Sequence, residues 1–440
     1  MTAECVKSII AFVWPHKDIT PPVVETARST KTCAIFDLSS IQPVLVRAAL
    51  LRSGAACGVV DLKISPAFLV DPRLEKFLDE MGISRIWVEL HPNLIEEYPE
   101  HFLKRLEVLS DHFDVVPVVG AIRLISEIVD NHPGIKNIAL KGNEASGFTG
   151  PETILTLYGA IISQMQGRSK PPGLIVWGGI ATPEAAASFL SAGVRGIVFE
   201  SLHWLTDLVS INDEARWRIS NLRADHTELT GLNFGVPCRI FNKGNSQAVR
   251  ELKSFAGSLC GSEILDEQRR LFARKILDEA IHPLESSFSR KELIPLGVEA
   301  AFAAAFVRRF GSDANKAIEN FISMIDACCA TAADKEKIFV NSPIAREMGT
   351  KYPFIQGAMS WITDVPEFAL KVFEAGGLPT IALGLMDGKT LDEKFGRMSE
   401  IMGTRPYAAN VITLPENPYR DIQLAWIEDK RPKFAVIAAG

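Results

Sequence analysis

No run of basic residues interrupts this 440-residue chain; 47 Lys and Arg stand against 53 Asp and Glu, for a formal charge of -6. That balance argues against nucleic acid or an anionic membrane surface as the main partner and leaves small neutral or anionic metabolites. No two of the eight histidines stand at HxxxH or HExxH spacing, so no metal site is expected. The seven cysteines (Cys5, Cys33, Cys57, Cys238, Cys260, Cys328, Cys329) include no CxxC pair. They read as reduced thiols of a cytoplasmic protein, with Cys328-Cys329 simply buried. The amino terminus, MTAECVKSIIAFVWPHKD, carries Glu4 and only a short apolar run, which excludes a signal peptide or a membrane span there. No GxGxxG follows the first strand, which counts against a dinucleotide-binding Rossmann unit.

What the chain does have is alternation. Apolar runs of strand length recur as CAIFDL (33–38), CGVVDL (57–62), RIWVEL (85–90), DVVPVV (114–119), KNIAL (136–140), GLIVW (173–177) and GIVF (196–199), with SIIAFVW (8–14) as an eighth. Helix-period segments such as PVLVRAALLRSG and ETILTLYGAIISQM lie between them. Strands that are apolar throughout, separated by amphipathic helices, predict a parallel sheet covered on its outer face. Eight of them within about 200 residues predict an α/β fold of the TIM (β/α)8 barrel type over residues 1–211. From 212 to 337 the strand pattern gives way to helical period, and Phe302, Phe306 and Phe310 form a stripe expected to pack on the barrel.

After that the chain starts again. KYPFIQGAMSWITDVPEFALKVFEAGGLPTIALGL (351–385) repeats the strand, loop, helix, glycine, strand order of residues 33–62, with Gly54 and Gly376 equivalent at an offset of 322 residues. Strands PTIALGL, PYAANVI and KFAVIAA follow. A whole barrel needs about 250 residues. Residues 338–440 therefore read as the amino-terminal part of a second, incomplete barrel, with further domains expected beyond Gly440 and an aggregation-prone edge at FAVIAAG.

In a parallel barrel the chemistry sits at the carboxyl ends of the strands. Those positions here are Asp37, Asp61, His91, Lys141 with Gly142, Gly178 with Gly179, and Glu200 with Ser201. Thr182, Pro183 and Glu184 make a complete helix start just after the Gly178-Gly179 pair. A glycine pair before a helix exposes backbone N–H groups that suit a phosphate, or it only makes a tight turn; the two readings are nearly even. The stretch IKNIALKGNEASGFTG (135–150) is stripped of side chains at the end of a buried strand, so backbone there comes close to something, another backbone or a ligand. Lys141 is expected at the mouth, facing an anionic group or pairing with Glu144 or Glu200.

KGNEASGF, the strand-GGI turn some thirty residues later, and YPFIQGAMSWITDVPEFALKVFEAGG in the second unit resemble the nitronate monooxygenases, formerly 2-nitropropane dioxygenases. The resemblance extends to their relatives, the FMN-dependent enoyl-thioester reductases, including domains of polyketide and polyunsaturated fatty acid synthases. It implies an FMN-dependent oxidoreductase acting on a small molecule or acyl thioester, or alternatively a flavin-free barrel serving as scaffold or docking module in a synthase. It also implies that Gly142, Ser146 and Gly147 line the flavin, that Gly178, Gly179 and Ser201 hold its phosphate, and that Gln356, Gly357, Ala358, Met359 and Asn410 face the isoalloxazine ring. No catalytic residue is assigned. Two departures stand out: Phe148 occupies the place of the family's histidine, and Glu200 replaces a glycine. A carboxylate about 5 Å from the phosphate would cost about 3 kcal/mol per charge pair, so the first barrel is expected to hold FMN weakly or not at all.

Overall fold

The computed structural model describes residues 8–54, 58–91, 99–168, 170–259, 264–332, 339–384 and 386–438; Cys5, Cys57 and Cys260 lie outside them. Contacts divide the chain into two compact units, 1–329 and 330–440.

The first unit is built on a closed barrel of eight parallel strands: β1 (Ile9–Pro15), β2 (Cys33–Asp37), β3 (Val60–Ile64), β4 (Arg85–Leu90), β5 (Asp114–Val119), β6 (Asn137–Lys141), β8 (Gly173–Trp177) and β9 (Gly196–Phe199), with β9 pairing back onto β1. β3, β6 and β9 are buried along their whole length, as strands covered on both faces must be. Alternation then divides each strand between two cores. Ile35, Trp87, Val116, Ala139, Ile175, Trp177 and Val198 fill the barrel interior, while Phe12, Phe36, Leu62, Val88, Leu140 and Phe199 pack outward on the helices.

Helix starts follow the local chemistry. Thr182 Oγ1 accepts from the Ala185 amide at 3.2 Å, with Pro183 at the first helical position, and Asn212 Oδ1 accepts from Ala215 N at 2.7 Å. Two of the three stripe phenylalanines pack as expected: Phe306 and Phe310 meet Phe321 of the helix Ala314–Ala332, whose ring stands 5.1 Å from Phe199 of the barrel, whereas Phe302 is 38% exposed. Cys328 and Cys329, expected to be buried, are only half-buried, packed against the edge of the main core.

The segment after the barrel is not purely helical. β10 (Thr227–Thr230) and β11 (Cys238–Phe241) form an antiparallel pair, and β11 also pairs with β7 (Gly147–Phe148), the two residues that end the glycine-rich stretch. These strands, with helices Gln247–Leu259 and Asp266–Glu279, enclose a separate small core around Phe234, Val249, Phe272 and Ile276.

The second unit carries β12 (Thr380–Ala382), β13 (Ala408–Ile412) and β14 (Phe434–Ala438) in a parallel sheet of sequential order. A parallel bridge from Ile355 to Leu378 places the IQGAM segment on the outer side of β12. Leu383, Leu391, Phe395, Met402 and Trp426 form its core under the helices Gly388–Met402 and Arg420–Lys430. The order is that of consecutive βα units of a barrel. No helix among the described residues is long and apolar enough to cross a membrane.

Candidate functional site

Alternation along the barrel strands sends Asp37, Lys63, Glu89, Lys141 and Glu200 to the mouth, one layer above the two interior tryptophans. They form one ionic ring. Lys63 Nζ lies 3.0 Å from Asp37 Oδ2 and 2.9 Å from Glu89 Oε2, and Lys141 Nζ bonds the other oxygen of Glu89. Both lysines stand over the Trp177 ring, at 5.6 and 5.9 Å from its centroid. Burial opposes ionisation of Asp37 and Glu89, but the lysines outweigh it and hold both carboxyls down to about 2. Burial likewise opposes the Lys63 charge and is outweighed by Asp37, Glu89 and Glu200, which raise its pKa.

Two lysines against Asp37 and Glu89 balance, and Glu200 is the surplus acid. Burial raises its pKa despite Lys141 and Lys63, and its Oε2 accepts from the Ser146 amide at 2.9 Å. Glu200 follows inward-facing Val198 by two residues and so points into the ring, not toward a phosphate as the sequence had led us to expect. Neutralising it should therefore be mild. Glu200→Gln is expected to change stability at pH 7 by less than about 1 kcal/mol, whereas Glu89→Gln leaves both lysines short of a partner and costs about 3 kcal/mol or more. Equilibrium urea unfolding measures both.

Asp61, expected at the mouth, sits a layer lower. β3 runs to Ile64, and Asp61 Oδ2 accepts from Trp87 Nε1 at 2.9 Å and pairs with Arg85 at 3.3 Å. Lys141 pairs with Glu89, not with Glu144 or Glu200. His91 is buried beside Phe148, ring centroids 5.3 Å apart, and burial pulls its pKa down to about 4.

The side-chain-poor stretch meets other backbone of this chain. Gly142 donates to Trp177 O at 3.0 Å, and a Cβ on it would fall 2.6 Å from Ile154. Gly178, at φ +114°, and Gly179, at φ +70°, lie against Ala145 and Glu144, where any Cβ would come within 2.9 Å. Gly147, at φ +69°, turns the chain into β7. Over this loop runs the segment 295–299. The Val298 amide donates to Glu144 O at 2.8 Å, and a Cβ on Gly297 would stand 2.9 Å from Ser146 N. Only glycine permits that approach.

The same segment delivers Glu299, 1% exposed, to the end of β9. Its Oε1 accepts from the amides of Ser201 at 2.7 Å and Leu202 at 2.8 Å. Burial raises its pKa to about 8 against those bonds. Glu299 was absent from the sequence reading, because nothing local marks a residue that acts 97 positions away. The cavity lined by Glu89, His91, Gly120, Lys141, Phe148 and Thr149 is about 10 Å³, room for one water and far from a flavin. As they stand, the residues of the first barrel do not fit FMN: its mouth holds the ionic ring, and the amides that would take a phosphate hold Glu299.

The corresponding loop of the second unit is open. No atom lies within 4 Å of a Cβ placed on Gly357, Met359 is half exposed, and Ala358 is partly so. Gln356 Oε1 accepts from Thr380 N at 3.1 Å, which ties the loop to β12 and leaves the buried Thr380 Oγ1 without a partner. Asn410, buried at the middle of β13, donates to Val436 O at 3.0 Å. The exposed apolar face of Gly357–Met359 is compatible with a planar ring.

The architecture is that of a closed (β/α)8 barrel followed by a second α/β unit. Among solved structures the chain is similar to FabK from Thermotoga maritima, with TM-score 0.54, 14% identity, and 75% of this chain and 97% of that one covered. It is also similar to the enoyl reductase domain of MlnA from the macrolactin biosynthesis cluster of Bacillus amyloliquefaciens, with TM-score 0.51, 11% identity, and coverage of 74% and 96%. At these identities the likeness establishes the fold. No protein-family model and no curated protein sequence matches the chain.

Proposed function

We propose that this chain belongs to an FMN-dependent oxidoreductase of the enoyl-thioester reductase or nitronate monooxygenase type, with its labour divided. The first barrel is a flavin-free structural body, and the flavin-facing residues are those of the second unit. The observation that carries this reading is the contrast between a mouth filled by Lys63, Lys141, Glu89 and Glu299 in one unit and an open Gly357–Met359 loop in the other. FMN, where bound, supplies hydride or electron transfer at its N5. Gln356 and Asn410 would present amide groups to the ring's polar edge, Gly357 would let it approach the backbone, and Met359 would cover its face. The enoyl reductase barrels of similar fold support an acyl-thioester substrate and a place beside other synthase domains.

FMN titration of the full chain, followed by flavin fluorescence, tests the division. Gly357→Val is expected to weaken binding at least tenfold, and Ser201→Ala in the first barrel to leave it within twofold. The opposite pattern would move the flavin to the first barrel. A chain that takes up no flavin, even at millimolar FMN, would favour the scaffold reading, for which the filled first barrel already speaks.

A further inference from the structure

The amides of Ser201 and Leu202 converge on one oxygen of Glu299, at 2.7 and 2.8 Å, as successive backbone N–H groups do around a bound anion. They stand at the end of the last barrel strand, where the loops of such barrels commonly hold phosphate. The loop is built for more than it receives. Ser201 Oγ is buried, with its residue 1% exposed, and has no partner; Glu299 Oε2 is buried and has none either. Two amides thus hold one oxygen of the carboxyl, while the hydroxyl of the same loop and the other carboxyl oxygen stay buried and unpartnered. A tetrahedral oxyanion offers acceptors in more directions than a carboxyl does. The filler is also imported. Glu299 lies on the short helical turn Val298–Phe302, held down by the Val298 bond to Glu144 and by the glycine contact at Gly297.

We propose that the loop Glu200–Leu202 is a built anion site that this chain keeps filled with its own Glu299 side chain, and that emptying it yields a site for a phosphate group. The segment 295–299 is then a strap whose carboxyl stands where a ligand's phosphate would otherwise lie. This inference rests on the reading of the first barrel as cofactor-free; flavin in the second unit does not enter it, and the probe is inorganic phosphate, so the two fail separately.

The test compares the full wild-type chain with Glu299→Ala, which empties the loop, and Glu299→Gln, which leaves an acceptor oxygen in it. Thermal midpoints are read at pH 7 across a phosphate series, with chloride at matched ionic strength as the control. Phosphate is expected to raise the midpoint of Glu299→Ala saturably, by roughly 2–5 °C, and to leave wild type and Glu299→Gln unmoved. If Glu299→Ala does not fold without an anion, its recovery by refolding in phosphate but not in chloride is the same positive result. Failure in both overturns the proposal. So does a folded Glu299→Ala that phosphate shifts no more than wild type, or an equal shift in Glu299→Gln. Glycerol phosphate in a parallel series separates sources: an equal shift assigns the opened site to phosphate esters, and a shift with inorganic phosphate alone assigns it to the free ion, either of which upholds it.

Discussion

Lys63→Met is expected to cost about 3–5 kcal/mol of stability at pH 7, the range found when one member of a buried ion pair is removed and its partner is left charged. Methionine matches the length of the lysine stem, so the loss is electrostatic and not a matter of volume. Asp37 is left with the Ser39 amide, at 2.9 Å, as its remaining bonded partner, and Glu89 keeps Lys141. Asp37 should respond by taking up a proton. The penalty should therefore shrink on acidification toward pH 4, where the lone carboxyl is neutralised at little cost. Adding Asp37→Leu should restore about half or more of the loss at pH 7, because the stranded charge is then gone. Urea unfolding of the single and double variants at both pH values measures this, and a Lys63→Met chain as stable as wild type at pH 7 would show that the ring does not hold the mouth.

The barrel was legible in the sequence because strands covered on both faces are apolar through most of their length. GLIVW and GIVF needed no context to be read as strands. β10 and β11 were not, since TELT and CRIF are only four residues long, the first half-exposed throughout and the second buried but interrupted by Arg239, with neither a continuous apolar run nor a sustained alternation. The mouth was half legible. Asp37, Lys141 and Glu200 were placed there by position, but Lys63 was overlooked because the predicted strand stopped at Leu62. Parity would have found it: Lys63 stands two residues beyond Asp61, as Glu89 stands two beyond Trp87, and each carries its strand's inward face one layer higher. The direction of Glu200 was open to the same argument. What no pattern announces is a contact between distant segments. The glycines of 142–147 and 178–179 signalled a close approach correctly, yet backbone and ligand leave the same mark in a sequence. It took the position of Gly297 and Glu299 to show that much of the crowding comes from the chain's own strap.

Glu299 should also cost the first unit about 2 kcal/mol of stability as pH rises from 6.5 to 8, a component that Glu299→Gln should remove. The sign follows from the direction of each shift. Burial raises Glu299 from 4.5 to about 8, so the folded chain binds a proton there that the unfolded chain has given up, and stability present at low pH is lost as pH rises through the folded value. Each unit of pH in that interval is worth about 1.4 kcal/mol for one fully shifted group. Glu200, which adjoins Glu299 and raises its pKa further, is itself raised and acts in the same sense, with Lys63 and Lys141 facing it from the ring and opposing the shift. The histidines act oppositely, in the lower part of this interval. Burial lowers His91 to about 4 and His203 to about 3, and lowers His226 and His282 as well, so their stabilisation builds as pH rises through the unfolded value of 6.5 and is complete about one unit above it. Asp37 and Glu89, held near 2, contribute fully above the ordinary carboxyl range and lose that contribution only as pH falls. Cys238, pushed up to about 12 by burial, begins to matter above its unfolded value of 9. Across the interval from 6.5 to 8 the loss thus comes from Glu299, with Glu200, Asp61 and Asp18 raised in the same direction, against the remaining gain from the histidines. Urea midpoints of wild type, Glu299→Gln and Glu200→Gln across it should show the slope falling with each substitution. A slope that Glu299→Gln leaves unchanged would mean that the carboxyl at the end of β9 is ionised throughout, held by the Ser201 and Leu202 amides more strongly than burial opposes it.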